Sequence, residues 1–324
     1  MALTFEEIES VTDDYFAADG KKAVDIYFDS SFLLNYLLKQ KKGLFKMPDG
    51  GRRIRVPLEY DGQEADFYGR GEPISSDDRE SVNAAFFLMK HVFGNATVLR
   101  IDELENAGEY AEVELVTTKV AGAQKSLTKK LAGSIYDPPS AGANRLTGLL
   151  ACCSESADVA YGDIAENDLV AADGTKPWEG KTTTTTEGIG LKVIRTMATT
   201  AKIRDGKGGK PDIVTCSETL FNVVVDQLQV QQRFVKSEAT ANAGFTGVEF
   251  EGKIVTPDDY APSGYAFATN TSCTGFAVHK RGNYVRTKWA YLPDRAGDRT
   301  MKIFWDGNLI VNNRKGNIAH SNLS

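Results

Sequence analysis

The chain has 324 residues, 41% of them hydrophobic and 25% charged, a balance that excludes wholesale disorder and a length about twice that of a typical domain. Its 38 Lys plus Arg face 44 Asp plus Glu, a net charge of −6, which argues against a dedicated nucleic-acid binder relying on excess cations. No apolar run reaches the roughly 18 residues that a spanning helix needs, and the start MALTFEEIES lacks the cationic entry of a secretory signal. The chain is therefore expected to be made and kept in a cytoplasm, with no membrane partner.

Residues 1–20 carry Glu6, Glu7, Glu9, Asp13, Asp14 and Asp19 and no Lys or Arg. Residues 21–46 reverse the sign with Lys21, Lys22, Lys39, Lys41, Lys42 and Lys46. Within that stretch Leu33, Leu34, Leu37 and Leu38 have helical spacing, which predicts a short amphipathic helix. The whole stretch reads as an arm that docks on its own body or on a neighbour.

Arg52 to Tyr60 alternates polar and apolar residues, as does the shorter run Ala65 to Tyr68, and Asp61-Gly62 between them supplies turn chemistry. The expectation is a long charged hairpin with few apolar anchors. A two-stranded ribbon is marginal alone, so contact with another surface should order it; lying flat on its own domain is the alternative.

Residues 102–136 read as one long helix. Val113, Val116, Val120, Ala123, Leu127 and Leu131 form an apolar stripe, acids precede lysines along it, and Pro138-Pro139 ends it. Residues 145–296 mix both element types: a helix over 188–202, a buried strand Asp212–Cys216, a helix capped by Ser217, a strand pair over 248–255 and another strand signal at Ser263–Phe267. Thr182–Thr186 reads as an exposed strand or loop. Strand character returns from Met301 to Val311.

Catalytic and metal chemistry finds little support. Cys152, Cys153, Cys216 and Cys273 have neither disulfide-framework nor zinc-ligand spacing and read as core residues, and His91, His279 and His320 are far apart in sequence. No nucleophile elbow, zinc helix or dinucleotide loop occurs. The stretch Gly206 to Pro211 lacks the phosphate-loop spacing and reads as a turn. Asp13-Asp14, Asp77-Asp78 and Asp258-Asp259 read as solvated caps rather than cation ligands. No catalytic, cofactor-binding or metal residue is assigned.

Three stretches nevertheless form a pattern: Pro211 to Ser217 with Gln232-Arg233-Phe234; Gly244-Phe245, Phe250 to Val255, Asp258-Asp259 and Ala268 to Thr271; and Gly307-Asn308-Leu309 with Asn312 to Lys315. Together, and in their order along the chain, they resemble tailed-bacteriophage major capsid proteins of the HK97 fold. The resemblance implies an α+β architecture: an N-terminal arm (1–46), an extended hairpin (47–80), a peripheral domain (81–144 and 297–324) with its spine helix, and an axial domain (145–296).

It also implies a non-enzymatic subunit that assembles with itself into hexamers and pentamers of an icosahedral virion shell, built in the host cytoplasm around double-stranded DNA. The implied partners are a scaffolding protein, a portal and a decoration protein; no cofactor is implied. The hairpin charges Arg52, Arg53, Arg55, Glu59, Asp61, Glu64, Asp66 and Arg70 become expected contacts between subunits, and the arm lysines are expected to face the lumen. Some members of this fold join a hairpin lysine to a neighbour's asparagine, but residues 47–79 contain no lysine. Two other readings remain: an encapsulin-type shell around a cargo enzyme, and an α+β enzyme using the Gly206–Lys210 loop.

Overall fold

A computed structural model describes residues 31–41, 43–63, 65–72, 80–105, 109–155, 160–203, 209–230, 247–293, 295 and 297–324, without the side chains of 39, 103–114 and 229–230. The arm's leucine cluster forms one helical turn, α1 (Phe32–Leu34), continued by a π-helical turn over Asn35–Lys39. Phe32, Leu33, Leu34, Leu37 and Leu38 are all buried. The predicted helix is present, and it is docked on its own body.

Next come β1 (Arg53–Glu59), β2 (Val82–Leu88) and β3 (Lys90–Val98). The long helix consists of α2 (Arg100–Glu105) and α3 (Glu109–Ser134), with 106–108 outside the described residues. Its stripe Val116, Val120, Ala123, Leu127 and Leu131 is buried, as the period of 3.6 requires. A short α4 (Leu149–Cys153), β4 (Thr182–Thr183), α5 (Leu191–Thr200), β5 (Ile213–Cys216) and α6 (Glu218–Val230) follow. The chain ends with β6 (Val248–Phe250), β7 (Lys253–Pro257), β8 (Ala266–Thr269), β9 (Thr274–Val278), β10 (Val285–Arg286), β11 (Ala290–Tyr291), β12 (Arg299–Val311) and β13 (Ile318–His320).

Two larger sheets organise these elements. In the first, β12 is central: β3 pairs antiparallel along one edge, while β11, β10 and β9 pair in succession along the other. Met301, Ile303 and Trp305 alternate inward and pack with the spine helix and the arm helix in one core. The second sheet has the order β4-β13-β8-β5-β7-β6. Its period-2 alternation divides two cores: Val214, Cys216, Ala266, Ala268 and Ile318 meet α5 and α6, while Ile213, Phe267 and Ala319 join the spine-helix core.

The sequence expectation for the hairpin needs correction. The hairpin does not turn at Asp61-Gly62: β1 pairs with β2, Arg53 opposite Leu88 and Glu59 opposite Val82. Ala65–Tyr68 forms no strand. The reason is burial, because Ala85 and Phe87 bring buried surface to the inward face of Ile54, Val56 and Leu58, whereas Phe67 and Tyr68 remain exposed. The terminal segment 297–324 also divides between sheets, with β12 in the first and β13 in the second, and β9 to β11 join the first sheet despite lying within 145–296.

Candidate functional site

The two features expected to mediate assembly are the hairpin and the arm. The hairpin's base is attached to its own subunit. Ile54, Val56, Leu58, Ala85 and Phe87 form a core with Tyr161, Ile164, Leu169 and Trp178. Trp178 donates its indole N–H to the Tyr161 carbonyl at 2.9 Å, so the buried indole keeps a hydrogen-bond partner.

A two-residue turn fixes the facing loop. Gly162 and Asp163 both have positive φ, 64° and 62°, the geometry of a type I′ turn, and Tyr161 pairs with Ile164 across it. The Gly162 carbonyl accepts from Phe86 N–H at 2.8 Å. The turn aims the Asp163 carboxylate at Arg53, whose Nη1 donates at 2.9 Å.

Arg53, expected to contact a neighbour, makes this ion pair within the subunit while remaining exposed. Asp61 is likewise engaged internally, accepting from Ala172 N–H at 2.9 Å and from Gly62 N–H at 2.8 Å. Asp66 accepts from the adjacent Phe67 N–H at 2.8 Å. Arg52, Arg55, Glu59 and Arg70 are exposed, and Glu64 lies outside the described residues. Among the described residues between β1 and β2, Phe67 is fully exposed and Tyr68 is 71% exposed. Sequence reasoning gave these two to a strand; their adjacency to a charged, glycine-bounded turn was the missed signal.

Hydrogen bonds hold the described part of the arm to the body at two places. Ser31 accepts from Leu34 N–H and donates to Asp258 Oδ2 at 2.8 Å. The aspartate also accepts from Tyr136 OH at 3.0 Å and Tyr260 N–H at 3.0 Å. Burial raises the Asp258 pKa, and these donors partly offset the rise. Asp258 is thus an anchor of the arm rather than the solvated cap expected of the 258–259 pair.

Farther along, residues 44–46 run parallel to β9, with Leu44 N–H on Thr274 O, Lys46 N–H on Phe276 O and Val278 N–H on Lys46 O. Gly275 permits this, since a Cβ there would collide with the Leu44 backbone. Lys46 is half-buried, which lowers its ammonium pKa. Lys41 is exposed, its Nζ 5.1 Å from the centre of the Phe45 ring. Lys21, Lys22 and Lys42 lie outside the described residues, as does the side chain of Lys39.

Residues of the third resembling stretch bind elements together. Asn308 is fully buried and uses both ends of its amide, donating to Leu88 O and Thr147 Oγ1 and accepting from Thr147 N–H and Leu309 N–H. Arg314, 1% exposed, donates to the carbonyls of Cys152, Trp178 and Ser154 at 2.8, 2.9 and 2.7 Å. Its guanidinium also lies 5.0 Å from the Tyr161 ring centre. All four cysteines are buried and free, and burial pushes the Cys216 thiol up to about 12. Among the described residues no cluster of three or more His, Cys, Asp or Glu could hold a metal, and none of the helices there is long and apolar enough to cross a membrane.

No protein-family profile matches the chain, and no curated protein matches it in sequence. Solved structures do. The chain is similar to the capsid subunit of cyanophage A-1(L), at 12% identity, a TM-score of 0.66 and coverage of 91% of this chain and 93% of that one. It is similar to the capsid of a native GTA particle at 9% identity and a TM-score of 0.60, covering 88% and 89%. It also resembles the SrpI encapsulin of Synechococcus elongatus PCC 7942 at 8% identity and a TM-score of 0.55, covering 88% and 87%. At such identities the likeness is one of fold, and the fold of this chain is the HK97-like fold of capsid and encapsulin shells.

Proposed function

We propose that the chain is the major capsid protein of a tailed bacteriophage, a structural subunit that assembles with itself into an icosahedral shell around double-stranded DNA. One observation carries the reading: the likeness to the cyanophage A-1(L) capsid subunit runs over 91% of this chain and 93% of that one, so a whole shell subunit is matched rather than a shared module. Shells close when one surface repeats in heterologous contacts, and the projecting aromatic tip and the N-terminal arm are suitable means.

On this reading the protein forms hexamers and pentamers and resides in the virion after assembly in the host cytoplasm. It works with a scaffolding protein, a portal and a decoration protein. Residues 1–46, 47–80, 81–144 with 297–324, and 145–296 serve as arm, hairpin, peripheral and axial units. Arg52, Arg53, Arg55, Glu59, Asp61, Glu64, Asp66 and Arg70 contact neighbouring subunits, and Lys21, Lys22, Lys39, Lys41, Lys42 and Lys46 face the lumen. The chain needs no cofactor and catalyses no reaction.

The encapsulin likeness supports a second reading, a shell around protein cargo. Electron microscopy of the expressed chain tests both. Round shells are expected, and a dispersed monomer would overturn both readings. Nucleic acid inside particles from the native source supports the capsid, and an enzyme inside supports the compartment.

A further inference from the structure

A cleft of about 840 Å³ opens beside the hairpin's base, and Arg52, Lys90, His91, His279 and Asp306 are among the residues that line it. Backbone pairing fixes the segments that carry them. Met89 N–H donates to Arg52 O at 3.1 Å, Lys90 and His91 belong to β3, and His279 N–H donates to Asp306 O at 2.8 Å. The polar side chains thus project from held backbone, which lowers the ordering cost of binding a ligand.

Among the described residues Asp306 is the one carboxylate on the cleft wall. It is already engaged, its Oδ1 2.6 Å from His91 Nδ1. The Arg52 guanidinium has no partner among the described residues. Lys90 donates to a neutral acceptor, the Ala143 carbonyl, and partial burial lowers its ammonium pKa. His279 Nδ1 accepts the Arg281 backbone N–H at 3.1 Å, so the neutral ring keeps Nε2–H as a further donor.

We propose that this cleft binds the phosphate group of a small molecule. Two cations balance a phosphate near its double negative charge at neutral pH. Arg52, Lys90 and His279 come from three separate segments, so their donors stand on different walls of the cleft. A tetrahedral oxyanion has oxygens for each wall, whereas a planar carboxylate has two in one plane. A nucleic-acid strand would need a continuous basic track, which Asp306 and Asp49, 3.2 Å from Lys280, interrupt. A bound phosphate joins the root of β1 to the β9–β10 loop and stabilises the subunit by mass action.

Equilibrium dialysis of the full chain against radiolabelled inorganic phosphate, in chloride buffer of constant ionic strength, tests the site. Saturable binding of one phosphate per chain is expected. Affinity should fall at least about tenfold in Arg52→Gln and in Lys90→Gln, each losing one charge-assisted contact. Lys280→Gln, which removes a cation outside the cleft wall, should bind as wild type does. Displacement of the label by glycerol phosphate assigns the site to monoesters, and its absence assigns the site to free phosphate. Duplex DNA at the same phosphate concentration should not displace the label. Non-saturable binding, a cleft variant that binds as wild type does, an equal loss in Lys280→Gln, or displacement by DNA overturns the proposal. Dialysis reads the site whether or not shells form, so its failure would leave the capsid reading untouched.

Discussion

Ser31 and Asp258 stand 227 positions apart and share a buried hydrogen bond of 2.8 Å. The contact joins the arm to the turn after β7, and Tyr136, just past the spine helix, completes it from a third direction. A buried carboxylate with several donors is costly to disrupt because each donor loses its partner in a site that water does not reach.

Replacing Asp258 by Ala should lower unfolding free energy by about 3 kcal/mol, since Ser31 and Tyr136 would each be left unsatisfied. Denaturant titration measures it, and a loss below about 1 kcal/mol would show the network to be dispensable. The pH response has a definite sign. Burial raises the folded-state pKa above the ordinary 3.8, so between those two values the native state binds more protons than the unfolded chain. The contribution of this carboxyl therefore declines as pH rises through that interval. The stability advantage of wild type over Asp258→Asn should narrow from pH 4 toward neutrality; an advantage that widened would contradict this account.

Arg314 is a buried cation whose partners are three carbonyls. Lysine carries no planar fork and cannot serve all three. Arg314→Lys should cost about 2 kcal/mol, and Arg314→Met about 3–5 kcal/mol, because methionine offers the three carbonyls no donor. Thermal unfolding reads both, and equal melting temperatures for wild type and Arg314→Met would refute the role.

The hairpin's base and tip should behave differently. Val56→Ala and Phe87→Ala remove buried surface and should destabilise the subunit, by about 1–3 kcal/mol for the valine and 3–5 for the phenylalanine. Arg53→Ala breaks an exposed ion pair and should change stability by under about 1 kcal/mol. Joining Tyr60 to Ser81 through Asn-Gly removes the tip while preserving the β1–β2 register, since Tyr60 N–H already bonds Ser81 O at 2.9 Å. That variant should stay folded by circular dichroism and fail to close shells by electron microscopy. Normal shells would show that the tip is not an assembly contact.

Covalent joining through the hairpin requires a neutral amine there, and residues 47–79 contain none. The nearest lysine before them, Lys46, is tied through its backbone to β9 at the hairpin's base. Boiled mature particles should therefore run as one band near 35.3 kDa on a denaturing gel. A ladder of multiples surviving reductant would disprove it.

What the sequence by itself determined are the elements whose pattern is local. The arm helix, the spine stripe, the buried strand at 213–216, the β6–β7 pair and the cysteines' place in the core all follow from side-chain period and chemistry within a few residues. The resembling stretches carried the fold, and two of their residues, Asn308 and Arg314, prove to be internal braces. Only the tertiary structure decided the pairings. The turn signal at Asp61-Gly62 is a local preference of about a kilocalorie or less, whereas burying Ile54, Val56 and Leu58 with Ala85 and Phe87 against Tyr161 and Trp178 gains several, so β1 passes over the nearby partner for one more than twenty residues on. The same non-local packing brings Arg53 beside Asp163 and divides β12 and β13 between two sheets. No periodicity along the chain encodes which distant surface a strand will cover, because that choice depends on surfaces that exist only once the chain has folded.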